Sequence, residues 1–191
     1  MTMGTGMRIS AGKHRGRRLH SPKGSRTRPT SDLLRQAIFN VLGPEIRGAR
    51  VLDLFAGTGA LGLEALSRGA ATATFVERDR GALESLHANL MELNLSARAR
   101  VLAGDVILTL EWLAASGERF ECVLLDPPYA GDLGARIVET LAPGLIFCDN
   151  ALLVVQAFHK SEFPERIGVL SRFWQRRYGE SRLTVYRKEI A

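Results

Sequence analysis

Cysteine is scarce in this chain, and so are histidine and long apolar runs. Its only cysteines, Cys122 and Cys148, cannot build a disulfide framework, and neither has a His or Cys partner at metal-ligand spacing. Both lie in apolar surroundings and are expected to be buried free thiols of a protein from a reducing compartment, with no metal site. No segment approaches the length needed to cross a bilayer, and Met1 to Met7 has no apolar signal core. A soluble cytoplasmic protein is expected, without a membrane partner and as a monomer. Internal repeats are also absent. The most local absence is of acid: no Asp or Glu precedes Asp32.

That missing acid gives the charge its meaning. Arg8, Lys13, Arg15, Arg17, Arg18, Lys23, Arg26 and Arg28 stand unopposed, so the overall +6 leaves a body of −2 behind a strongly basic start. Such a distribution suits a catalytic module that holds a polyanion through its N-terminus; the bland alternative is a solvated tail. Arg8-Ile-Ser-Ala-Gly and Arg17-Arg-Leu-His flank Lys13-His-Arg-Gly16 as a short hairpin would, and Pro22 to Pro29 reads as a linker. The expected organisation is a basic hairpin arm over 1–30 and one globular domain over 31–191, in keeping with 46% hydrophobic content. A chain starting near Thr30 is then expected to keep its fold and lose only its hold on the polyanion.

Within the domain, Val51-Leu-Asp-Leu-Phe-Ala-Gly57-Thr-Gly59-Ala-Leu-Gly62 reads as a buried strand, a glycine turn and a helix. The G-x-G-x-x-G spacing lets backbone approach a ligand closely, and the N–H groups that open the helix favour an anionic group. Asp53 is costly to bury inside an apolar strand unless something satisfies it, so it is expected to face a crevice at the strand's carboxyl end. Thr30 or Ser31 can cap a preceding helix that ends near Gly43-Pro44. Beyond the turn, strands are expected at Thr72–Glu77, Arg100–Ala103, Phe120–Asp126 and Ala151–Phe158, with helices near Arg80–Leu93, Val106–Ala115 and Leu133–Leu141 between them. This alternation predicts an α/β fold, a mostly parallel seven-stranded sheet with helices on both faces. The segments Ile167–Arg177 and Arg182–Lys188, split at Gly179, are expected as an antiparallel edge hairpin.

Four strands end on acids: Asp53, Glu77, Asp105 and Asp126. Ligands of open α/β sheets bind outside those ends, so the acids should line one crevice, although Asp105 is also placed to cap the helix after it. Glu77 lies a strand beyond the glycine loop, where a carboxylate can accept both ribose hydroxyls; that alone also permits a nicotinamide dinucleotide. Asp126-Pro127-Pro128-Tyr129 makes the choice. Two prolines stiffen the chain after the strand, holding the Asp126 carboxylate, the Pro127 carbonyl and the Tyr129 ring where a planar exocyclic amine could be gripped and its base stacked.

Asp53-Leu-Phe-Ala-Gly-Thr-Gly59, Glu77, Gly104-Asp105 and Asp126-Pro-Pro-Tyr129 resemble the ordered motifs of Rossmann-like S-adenosylmethionine amino-methyltransferases, the D/N-P-P-Y group. Arg8-Ile-Ser-Ala-Gly-Lys-His-Arg-Gly-Arg-Arg, Arg28-Pro-Thr-Ser-Asp32, Leu61 to Gly69 and Tyr178 to Tyr186 extend the likeness nearly end to end. Together they resemble the bacterial family of ribosomal RNA small subunit methyltransferase D. The resemblance implies S-adenosylmethionine as cofactor and 16S ribosomal RNA in assembling small subunits as substrate, with methylation at N2 of guanine-966. It implies cofactor contacts from Asp53, Phe55, Gly57, Gly59, Glu77 and Asp105, an amine clamp of Asp126, Pro127 and Tyr129, and RNA contacts from Arg8, Lys13, Arg15, Arg17, Arg18 and Arg28. Gln156 departs from the family's pattern, which has an acid in the fifth strand. Adenine-N6 methylation would use the same clamp, a dehydrogenase would need a proton donor that no crevice residue offers, and a plain RNA-binding module would not need the acids.

Overall fold

The inner strands of the sheet are buried almost without a break, and their side chains fall alternately into two apolar clusters, one on each face. The computed structural model describes residues 7–22, 32–127 and 133–190. Its strands are β1 (Arg50–Leu54), β2 (Thr72–Glu77), β3 (Ala99–Ala103), β4 (Phe120–Leu125), β5 (Phe147–Phe158), β6 (Arg166–Ile167), β7 (Leu170–Tyr178) and β8 (Ser181–Lys188). They form one sheet in the order β3-β2-β1-β4-β5-β8-β7-β6. The first five are parallel, and β8, β7 and β6 continue antiparallel. The chain winds outward one way from β1 to β3 and the other way from β4 to β5. The β1/β4 junction is therefore the switch point, and its carboxyl end is where such sheets open a crevice.

The helices are α1 (Asp32–Leu42), α2 (Ala60–Ser67), α3 (Arg80–Glu92), α4 (Val106–Ala115) and α5 (Leu133–Leu141). Val51, Ala73, Phe75, Leu124 and Val154 pack with α1, α2 and α3, whereas Leu52, Val76, Val123 and Val155 pack with α4 and α5. The two apolar clusters cover opposite faces, as the period-two strands and their long crossovers require.

The expected seven strands are present with one addition: the segment expected from Ile167 breaks at Gly168, leaving the two-residue strand β6. β5 starts earlier than expected, at Phe147. Its register with β4 shifts between Phe147 and Leu152, where Asn150 takes φ +60°. The N-cap expected at Thr30 or Ser31 and the linker from Lys23 lie outside the described residues. Cys122 is buried as expected, and burial pushes its thiol pKa up. Cys148 is not in apolar surroundings: its Sγ donates to Glu121 Oε1 at 3.1 Å and accepts from Arg50 Nη2 at 3.0 Å.

The basic start does form a hairpin. Arg8 bridges Arg18, Ile9 N–H donates to Arg17 O, and Gly16 N–H donates to Ile9 O. Ile9 and Leu19 are buried in the cluster under α1 to α3, so residues 7–19 are built into the domain and are not a solvated tail. The hairpin seats on the far end of α2. Lys13 N–H donates to Ser67 O, Ser67 Oγ donates to Ala11 O, and a Cβ on Gly12 would meet Ser67 O at 2.0 Å. Only glycine tolerates that approach.

Candidate active site

β1 delivers the chain to the switch point, and Phe55 then turns it out of the sheet with φ +62°. A bulky residue in the left-handed region is held there by its surroundings. Its ring packs on the α4–α5 face, while Ala56 N–H donates to Val76 O and ties the loop to β2. Gly59 precedes α2 at φ +84°, and a Cβ on Gly62 would lie 2.3 Å from Phe75 Cε1. The third glycine therefore serves helix packing, and the second serves the turn. A Cβ on Gly57 would meet nothing within 4 Å, so the loop's outer side opens onto space a ligand could use.

Two acids hold this loop from within. Glu77, ending β2, accepts from Gly57 N–H through Oε2 and from the N–H groups of Arg78 and Asp79 through Oε1, each at 2.8 Å. Asp53 accepts from Gly62 N–H at 2.8 Å. Asp53 does not face the open crevice as expected: it is 1% exposed and turned under the start of α2, where the helix's unpaired N–H groups satisfy it. Burial pushes its pKa up to about 7, the Gly62 hydrogen bond opposes the shift, and the charges of Asp126 and Glu77 add to it. Glu77 and Asp126 are thus both within electrostatic reach of Asp53.

Asp105 takes the plainer of its two roles. Its Oδ1 caps α4, accepting from Ile107 N–H at 2.9 Å and Leu108 N–H at 3.3 Å. Asp126 follows β4 half-buried, and Pro127 is buried against the first turn of α5, its Cγ 3.4 Å from where a Cβ on Gly134 would stand. Pro128 and Tyr129 lie outside the described residues, as does Arg28. Of the other expected RNA contacts, Arg8, Lys13, Arg15, Arg17 and Arg18 are all exposed on the hairpin. Arg17 also pairs with Glu92 at 3.4 Å. Because the hairpin tip meets Ser67 and the glycine loop meets Ala60, tip and loop are separated by the length of α2, roughly 10 Å at 1.5 Å per residue.

Sequence reading missed three residues that build this arrangement. Glu64 and Arg35, both fully buried, pair at 3.4 Å between α2 and α1. Glu64 also accepts from Ser10 N–H at 2.7 Å, Ala11 N–H at 3.0 Å and Arg68 Nε at 2.8 Å. Asn89 of α3 accepts from His20 N–H at 2.6 Å and donates to Thr58 O at 2.9 Å, joining the hairpin's exit to the glycine loop. A lone acid inside the apolar run Leu61-Gly-Leu-Glu-Ala-Leu was the available signal, since such a charge must be partnered.

Comparison with known proteins agrees with this geometry. The family described as Conserved hypothetical protein 95 matches residues 7–187. Ribosomal RNA small subunit methyltransferase D of Escherichia coli K12 is 39% identical over 158 residues, 83% of this chain and 78% of that protein. Its Haemophilus influenzae namesake is 35% identical over 150 residues, 78% of each chain. The solved structure of Escherichia coli yhhF superposes with a TM-score of 0.85 at 36% identity, covering 97% of this chain and 99% of that one. SMU.776, solved in complex with SAH, shares the fold at a TM-score of 0.65 and 15% identity over 82% of this chain and 49% of its own.

Proposed function

Since this chain belongs to the ribosomal RNA small subunit methyltransferase D family and is a methyltransferase, we propose that it carries a methyl group from S-adenosylmethionine to N2 of guanine-966 in 16S ribosomal RNA of assembling small subunits. The observation that carries the reading is the loop itself: Glu77 grips Gly57 while Asp53 and Asp126 stand beside it at the switch point. This site fits the cofactor. Gly57 offers open space, and Glu77 keeps lone pairs beyond those its N–H partners use.

S-adenosylmethionine, when bound, supplies an electrophilic methyl on a sulfonium that is its own leaving group. The protein's task is therefore to position the amine and to stabilise charge. Gly57 and Gly59 would bring backbone close to the methionine end, and Asp53, turned under Gly62, would meet its ammonium from beneath the loop, a nearby positive charge that favours the ionised carboxylate. Glu77 would accept from the ribose hydroxyls, and Asp105, at the cap of α4, would accept from the adenine amine. Phe55 completes the wall on the α4 side. Asp126 and the Pro127 carbonyl accept the guanine N–H hydrogens, which localises the nitrogen lone pair and stabilises its developing positive charge. Tyr129 stacks on the base, which must leave its helix at a cost of a few kcal/mol unless the RNA is already open there. The hairpin cations Arg8, Lys13, Arg15, Arg17 and Arg18, together with Arg28 beyond the hairpin in sequence, hold phosphate.

The test is to incubate the protein with isotopically labelled S-adenosylmethionine and either small-subunit particles or DNA, digest to nucleosides, and identify the labelled one by mass and retention. N2-methylguanosine from the RNA is expected. Labelled N6-methyladenosine, or label in DNA alone, overturns the base assignment. Asp126→Ala is expected to abolish most turnover with cofactor affinity nearly unchanged; full activity in that variant overturns the clamp.

A further inference from the structure

The corner where β7 turns into β8 is more than the edge hairpin expected from sequence, because of where it stands and how it is charged. Its position follows from register. Leu125, the last residue of β4, pairs with Val155, yet β5 continues to Phe158, which pairs with Ser181, which pairs with Tyr178. The β5–β8–β7 corner therefore rises three residues, about 10 Å, above the end of β4 at 3.3 Å per residue. It overhangs the Asp126 side of the sheet, two to three strands from β4, or roughly 10 to 14 Å at about 4.8 Å per strand.

The charges at that corner are arranged unlike those elsewhere on the same strands. Arg166, Arg172, Arg187 and Lys188 each meet an acid at 2.5 to 3.0 Å. Arg177 and Arg182 meet none among the described residues, although they are direct cross-strand partners. Like charges placed opposite each other weaken a sheet. Both guanidiniums are nonetheless aimed by main-chain carbonyls: Arg177 Nε donates to Gly179 O at 2.8 Å and Arg182 Nη1 donates to Ser161 O at 3.0 Å. Each uses one of five N–H donors there and keeps the rest of its fork. A destabilising, oriented and uncompensated arginine pair at that corner matches the geometry and charge of a phosphate. Arg176, 5.6 Å over the Tyr178 ring, lies on the other face of the hairpin, so among the described residues the pair stands by itself on its face.

We propose that Arg177 and Arg182 form a clamp for a backbone phosphate of the RNA, flanking the nucleotide presented to Asp126. The clamp rests on the RNA-methyltransferase reading of the active site. It gives the substrate a contact beside the crevice that does not depend on the cations of the hairpin.

The experiment compares wild type with Arg177→Glu and Arg177→Gln on deproteinised 16S ribosomal RNA and on small-subunit particles. Thermal unfolding and S-adenosylmethionine affinity are measured alongside. In Arg177→Glu, KM for both RNA substrates should rise on the order of tenfold with kcat little changed, and the slope of log affinity against log salt should flatten by roughly 0.7 to 0.9. Arg177→Gln should fall between. Cofactor affinity should hold, and the melting temperature should stay or rise, because the opposed charges are relieved; a merely structural arginine would lower it. Unchanged KM and salt slope in Arg177→Glu, with wild type active, overturn the clamp and leave the function intact. Where wild type turns over both substrates, a KM rise on particles alone also overturns it, since the contact would then be to ribosomal protein. A wild type inactive on both substrates overturns the functional reading on which the clamp depends.

Discussion

Replacing Glu64 with alanine tests whether the hairpin is built into the domain. The carboxylate is fully buried and accepts from Ser10 N–H, Ser10 Oγ, Ala11 N–H and Arg68 Nε at 2.7 to 3.0 Å, with Arg35 Nε at 3.4 Å. Its removal strips a fully buried guanidinium of one of its two acids. Breaking a buried pair costs about 3–5 kcal/mol, mostly from the stranded charge. Arg35 keeps Asp32 at 2.6 Å, but that partner's side chain is 63% exposed and compensates only in part. The lower end, about 3 kcal/mol, is therefore expected. Urea denaturation followed by circular dichroism measures it. Arg35→Met in the Glu64→Ala background should recover much of the loss, because an apolar side chain of similar length leaves no charge to solvate.

The same hydrogen bonds bear on truncation. A chain starting near Thr30 loses the Glu64 partners from residues 10 and 11 and uncovers the apolar surface that Ile9 and Leu19 bury. It should thus be destabilised by at least as much as Glu64→Ala, against the expectation that the domain stands without its arm. A Glu64→Ala loss below about 1 kcal/mol, within the range of an exposed pair, or no coupling in the double variant, would refute the reasoning.

Glu77→Ala should weaken S-adenosylmethionine binding by roughly 1 to 3 kcal/mol in calorimetry, since it removes a charged acceptor and releases Gly57; no change would sink Glu77's role. Asp53 predicts a pH dependence. Its folded pKa, about 7, lies above the ordinary 3.8, so between those values the native state keeps a proton the unfolded chain has lost. Stability should decline as pH rises through that window and level off above it; Asp53→Asn should remove that slope in denaturation at graded pH. Charge reversal at Arg15 and Arg18, both exposed, should weaken RNA binding and flatten its salt slope by roughly 0.7 to 0.9 for each phosphate no longer held, while stability holds. Arg17 is a poorer target because it pairs with Glu92.

The legible parts of this protein were those written in local pattern. Strand and helix periods placed α4 and α5 at their observed bounds, and the double role open to Asp105 included the helix cap it forms. Side-chain orientation was not legible. Asp53 reads as a crevice acid because its strand says where the backbone ends; only the packing of α2 decides that the carboxylate turns under Gly62. Glu64 and Ser10 are 54 residues apart and Asn89 and His20 are 69 apart, so no periodicity relates them. Cys148 misled for a similar reason. The residues before it, Leu145 to Phe147, are apolar, but its neighbours in space are Arg50 and Glu121, brought alongside by β1 and β4.

The hydrogen bonds of Asp53 and Glu64 converge on the eight-residue helix α2, whose two ends hold the glycine loop and the hairpin. At its start, Gly62 N–H holds Asp53 beneath the glycine loop; at its end, Ser67 O and Glu64 hold the hairpin. Asn89 closes a second route, from His20 through its side-chain amide to Thr58 O in the loop. RNA that settles the hairpin should therefore settle the loop, and binding each ligand should favour the other by the same factor. Asn89→Ala cuts the second route and leaves α2 intact. Cofactor affinity measured by calorimetry with and without 16S ribosomal RNA should differ several-fold in wild type and by less in Asn89→Ala. Asn89→Asp keeps the acceptor for His20 but puts a carboxylate against Thr58 O, and should lose the coupling as fully. Equal coupling in all three proteins would leave α2 as the sole connection, and absence of coupling in wild type would show hairpin and loop to be independent.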